Sequence, residues 1–155
     1  MLIVFLDTEF TNFDDPHLIS IGLASSKDEE FYAETHYPDA SCSDFVHKVV
    51  IPLLSLTHQL SHEQLRMEIL EWFNGIRGTD PVVVCFDSHY DETLFRRLFQ
   101  NTPPSFLIFR GIGSQHINAL MRDEFYFKNG LIEHHALSDA KALRYSFRGW
   151  FRSIR

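Results

Sequence analysis

Cysteine is scarce. Cys42 and Cys85 are the two thiols of the chain and lack CxxC spacing, so neither a disulfide framework nor a zinc knuckle is indicated, and both read as packing residues. There is no apolar run of membrane-spanning length, and the apolar N-terminus has neither the basic lead nor the small-residue cleavage site of a secretory signal. The expectation is a cytoplasmic protein with no membrane contact. No internal repeat or low-complexity linker divides the sequence. Its 155 residues therefore read as a single domain, 1–155, and 45% hydrophobic with 14% aromatic residues is ample for a core. Positive charge is also short: 14 Lys and Arg stand against 21 Asp and Glu, for a net charge of −7. On its face that argues against a polyanionic partner. The distribution qualifies this, because Lys141, Arg144, Arg148, Arg152 and Arg155 end the chain with no acid among them.

What is present begins with LIVFL, an apolar run rich in branched and aromatic residues that predicts a strand buried on both faces. LISIGLA (18–24) and FYAETHY (31–37) predict the next two strands, antiparallel across the charged turn at Lys27 to Glu30. Residues 43–54 predict a helix ended by Pro52. LSHEQLRMEILEWFNGIRG carries Leu65, Ile69, Trp72 and Phe73 at helical spacing, with Gly75 and Gly78 as stop signals. VVVCF (82–86) is a second doubly buried strand, followed by a helix over 91–100 and a last strand over 106–112. Helices over 115–127 and 138–152 complete an α/β domain with a mixed five-stranded sheet flanked by helices, in which ligands gather at strand ends.

Three acidic features stand out against this frame. Asp7 and Glu9 follow the first strand, and side chains two apart on an extended chain point to the same side. Like charges held together destabilise unless a cation joins them. Asp91 opens a helix just after VVVCF, and His134 precedes Asp139 by the interval His-x4-Asp at the start of the last helix. Each has an ordinary reading: strands end in polar turns, and Asp suits a helix N-terminus on dipole grounds alone.

Taken in order, DTEF, YDETLF and HHALSDA resemble the three motifs of the DEDDh 3′-5′ exonucleases of the ribonuclease H-like superfamily, and they span nearly the whole chain. DTEF, LISIGLA, EFYAE and Tyr90-Asp91 are similar further to the stand-alone bacterial exoribonucleases of the RNase AS family. Two departures accompany the likeness. Phe10, Thr11 and Asn12 stand where proofreading domains usually read Thr-Thr-Gly, and Asp87 stands where Asn is common.

The resemblance implies a ribonuclease H-like fold and a metal-dependent exonuclease that removes 5′-mononucleotides from single-stranded 3′ ends. RNA and adenylate are favoured by the RNase AS likeness, and DNA stays open, as does a catalytically silent binding module of the same fold. It implies two divalent cations, Mg²⁺ or Mn²⁺, held by Asp7, Glu9, Asp91 and Asp139. Asp7 would lie between the two, Glu9 and Asp139 on the side of the attacking water, and Asp91 towards the other ion. His134 would take the proton from that water, having an unperturbed pKa near neutrality. Phe10 is expected either to stack on the terminal base or to pack internally, and Thr11, His89 and Tyr90 flank the substrate by the same likeness. A homodimer is expected because stand-alone relatives commonly form one. On the last helix, Lys141, Arg144, Arg148 and Arg152 would share a face, either solvated or steering phosphates towards Asp139.

Overall fold

The computed structural model describes residues 1–149. Its centre is a six-stranded mixed sheet of order β4-β3-β2-β1-β5-β6. The strands are β1 (Leu2–Phe10), β2 (Leu18–Ser25), β3 (Glu30–Thr35), β4 (Gln59–Leu60), β5 (Val82–Phe86) and β6 (Leu107–Gly111). β2 runs antiparallel to both neighbours, while the β3–β4, β1–β5 and β5–β6 pairs are parallel. The expected count of five strands is thus one short. β4 is two residues long, and no periodicity marks so short a strand.

β1 also outruns the apolar run that announced it. Pairing with β2 continues through Asp7↔Gly22, Thr8↔Ile21 and Glu9↔Ser20, with a bulge between Glu9 and Phe10. The acids therefore lie inside the strand rather than beyond it. Alternation does the rest. Leu2, Val4 and Leu6 belong to a core formed with α1 (His62–Arg77) and α2 (His89–Leu98), including Leu65, Ile69, Phe73, Leu94 and Phe95. Ile3 and Phe5 join the opposite core with Val83, Cys85 and Leu143. Asp7 and Glu9, being odd, extend that second face past its apolar part.

Two further helices, α3 (Ala119–Asn129) and α4 (Ala136–Ser146), cover this second face, with α4 packed on β1 and β2. The start of α4 comes unusually near the sheet. A Cβ on Gly22 would stand 2.3 Å from the Ala136 carbonyl oxygen and 2.4 Å from the Leu137 nitrogen, both backbone atoms that cannot swing aside. Because Gly22 pairs with Asp7, this contact sets Asp139, in the first turn of α4, beside the acids of β1.

Other expectations are corrected. The stretch 43–54 is a π-helical turn, Val46–Val50, running into a 3-10 turn, Ile51–Leu53, rather than one α-helix. Pro52 has no N–H for a regular ladder. Gly75 lies inside α1, which ends at the C-cap Gly78. α3 starts at Ala119, where Asn118 accepts from the Met121 amide and caps it. α4 stops at Ser146. Phe147 turns extended and packs edge-on against Phe5, and the Arg148 amide donates to the His116 carbonyl.

The basic face is dismantled accordingly. Lys141 pairs with Glu30 at 3.1 Å, and Arg144 meets Glu30 at 3.2 Å, Asp28 at 3.7 Å and the Ser25 carbonyl. Ser25 is opposite Val4, three residues from Asp7 and towards the other end of the sheet. These cations tie α4 to the β2–β3 turn and do not face the acids. Trp150, Arg152, Ile154 and Arg155 lie outside the described residues. No described helix is long and apolar enough to cross a membrane.

Gly22→Ala should lower stability by about 1–3 kcal/mol through overpacking against backbone, read from the midpoint of urea unfolding. An unchanged midpoint would mean that α4 lifts from β2 without cost.

Candidate metal centre

A cavity of about 350 Å³ opens where β1, β5 and α4 meet. Asp7, Glu9, Asp91, His134 and Asp139 all line it, so residues far apart in sequence are brought together. Their ligand atoms fall into two sets, each with all atoms within 4.8 Å of one another: Glu9, His134 and Asp139, and Asp7, Asp87 and Asp91. Glu9 and Asp139 thus share a side with His134, and Asp91 lies on the other. Asp7 groups with the latter. Asp87, which the sequence reading did not place in the site, completes that set.

Each acid is held by a different local device. Asp91, 2% exposed, accepts at Oδ1 from the Thr8 amide at 3.0 Å and the Thr8 hydroxyl at 2.7 Å. Its Oδ2 is buried without a hydrogen-bond partner. A buried acceptor left unpaired costs about 1–3 kcal/mol, and Asp91 belongs with Asp7 and Asp87 to a set whose ligand atoms could hold a metal ion. Asp139 accepts from the Tyr126 hydroxyl at 2.7 Å and the His134 amide at 2.9 Å. The His134 backbone has φ +74°, the left-handed region that costs a non-glycine residue energy. Its ring meets Phe45 edge-on at 5.0 Å. The adjacent His135 points elsewhere: it caps α4 and stacks on Tyr32 at 4.5 Å.

The acids also raise one another's affinity for protons. Burial pushes the Glu9 carboxyl up to about 8, with Asp139 and Asp91 adding to it. Asp91 rises to about 7 because burial outweighs the Thr8 hydrogen bonds. Asp7 is driven well above the carboxylate range by burial and by the four neighbouring acids, and Asp87 and Asp139 are raised by burial. Each of the two sets could hold a metal ion.

The expected substrate residues are placed unevenly. Phe10 packs against the α1–α2 core, stacked on Tyr90 at 5.1 Å, and also lines the cavity. Thr11 is fully buried: its hydroxyl accepts from the His17 amide and closes the loop after β1, and it does not line the cavity. Tyr90 stands behind Phe10, and exposed His89 packs on Tyr90; neither lines the cavity. The aromatic faces open at the mouth are Phe13, 70% exposed, and Phe45, 51% exposed. Neither carried a sequence signal, since Phe45 arrives on the irregular segment after β3. A third potential ligand set, Asp39, Cys42 and His47, does not line the cavity, and Asp39 and His47 are exposed.

No protein-family model matches this chain, and no curated protein matches it.

In the metal-free protein the raised carboxyls keep protons that the unfolded chain releases near pH 4, so the folded state binds more protons between that range and about 8. Stability from these groups is therefore full at low pH and lost as pH rises through about 7 and about 8. The melting temperature without metal should fall from pH 6 to 8.5, and Mg²⁺ or Mn²⁺ should restore it until EDTA is added. Asp7→Asn should raise the metal-free melting temperature and abolish the response to Mg²⁺. A flat pH profile, or no response of the native protein to either cation, would refute a cation site here.

Proposed function

We propose that this chain is a metal-dependent 3′-5′ exoribonuclease of the DEDDh type on a ribonuclease H-like fold, releasing 5′-mononucleotides from single-stranded RNA. The observation that carries the reading is the meeting of Asp7, Glu9, Asp91, Asp139 and His134 in one cavity, with Asp91 Oδ2 buried and unpaired. A sheet opened by three consecutive antiparallel strands and extended by parallel ones accords with that fold. Glu9 and Asp139 would hold one divalent cation, and Asp7, Asp87 and Asp91 the other. When bound, two such cations neutralise phosphoryl charge, acidify the attacking water and stabilise the leaving alkoxide.

The chain's own groups do the rest. His134, beside Glu9 and Asp139, accepts the proton of the attacking water at its imidazole. Tyr126 and the His134 amide fix the Asp139 carboxylate, and Thr8 fixes that of Asp91. Phe13 and Phe45 offer faces for the terminal base, a contact worth about 1–3 kcal/mol that tolerates any base. The sugar assignment to RNA, the adenylate preference, a homodimer and a cytoplasmic setting rest on the RNase AS resemblance of DTEF, LISIGLA and Tyr90-Asp91.

The test is a 5′-labelled RNA beside the same sequence in DNA, each with a free or a blocked 3′ end, in Mg²⁺ or Mn²⁺. The expected outcome is stepwise shortening of the free RNA, reduced by a factor of at least 10² in Asp139→Asn, the order of loss when a group stabilising the transition state is removed. Internal cuts on the blocked strand would sink the exonuclease reading. Faster loss of DNA would reassign the sugar, and binding of RNA without cleavage would leave a silent module of the same fold.

A further inference from the structure

Arg122 is a cation beside the acids of the cavity. It sits in the first turn of α3, lines the cavity, and has 34% of its side chain exposed. Its Nη1 stands 3.7 Å from Asp87 Oδ2, beyond hydrogen-bond length, and its Nε is buried without a hydrogen-bond partner. A guanidinium offers five N–H donors in a planar fork suited to paired oxygens of carboxylate or phosphate.

Were neutralising Asp87 its sole task, a close two-point contact would be the expected geometry. What is observed is one loose contact and an unfilled donor, beside the Asp7, Asp87 and Asp91 set. A donor fork in that position suits an oxyanion seated next to the carboxylates. A phosphate supplies one, since its non-bridging oxygens can meet a cation on one side and a guanidinium on the other.

We propose that Arg122 is a substrate-binding residue that grips the phosphate of the terminal nucleotide, the phosphate at which cleavage occurs. This rests on the nuclease reading above. The phosphate stays with the released nucleotide, so the contact persists in the product and is measurable without turnover.

Calorimetric binding of adenosine 5′-monophosphate and of adenosine, both in Mg²⁺, isolates the phosphate's share. The native protein should prefer the monophosphate. Arg122→Gln should cut that preference by about ten- to a hundredfold, the range for a charge-assisted contact, while leaving adenosine binding unchanged. Arg122→Lys keeps the charge without the fork and should fall between the two. It also serves as the variant if Arg122→Gln does not fold. In turnover, Arg122→Gln should raise KM for single-stranded RNA and flatten its logarithmic salt slope by about 0.7, one phosphate contact. If the native protein degrades RNA while both variants keep the full preference for the monophosphate, the Arg122 assignment is wrong and the nuclease reading stands. If the native protein neither degrades RNA nor binds the monophosphate in Mg²⁺, the nuclease reading fails and takes this one with it.

Discussion

The site depends on one close approach. The first turn of α4 lies on β2 at a separation that only a hydrogen at the Gly22 position permits. Gly22 is opposite Asp7, so the same contact decides that Asp139 and the loop bearing His134 stand over the acidic end of β1. Remove that proximity and Asp7 and Glu9 become two acids at the rim of a sheet. With it, they share a cavity with groups more than a hundred residues downstream.

Such crowding is expensive, and the structure shows where the expense is offset and where it is not. Thr8 alternates to the opposite face from Asp7 and Glu9 and there donates twice to Asp91, while Tyr126 and the His134 amide donate to Asp139. Orientation is thus secured by neutral donors rather than by cationic side chains paired to those acids. Arg122 reaches Asp87 alone, and loosely. The result is a set of carboxyls raised by burial and mutual repulsion, with one buried oxygen unpaired. Replacing any of these acids by an amide would relieve the repulsion, and a cation held among them would do the same.

Much of this was legible in the chain. The runs LIVFL, LISIGLA and VVVCF are strands because branched and aromatic residues buried on both faces have few other places to go. The DTEF alternation put Asp7 and Glu9 on one side, and the His-x4-Asp spacing selected His134 over His135 before the cap and the Tyr32 stack accounted for the latter. Less was legible where regularity fails. β4 is too short for a pattern, and the segment around Phe45 mixes π and 3-10 geometry ahead of Pro52. Thr11 read as polar and near the site, yet a hydroxyl beside a turn is as readily consumed by the backbone.

The sequence by itself determined what is local and periodic: which stretches form strands and helices, and which acids could face the same way, because side-chain direction follows from two-residue and 3.6-residue repeats. Tertiary structure alone decided which charges meet. Lys141 and Arg144 share a helix with Asp139, but α4 crosses the sheet and carries them to Glu30 and Asp28 at the other end. Arg122 and Asp87 had no common pattern, and they meet because α3 packs on α4 beside the end of β5. Distance along the chain says nothing of such pairs. They are set by how closely elements pack, and here that closeness was granted by the absence of a side chain on Gly22.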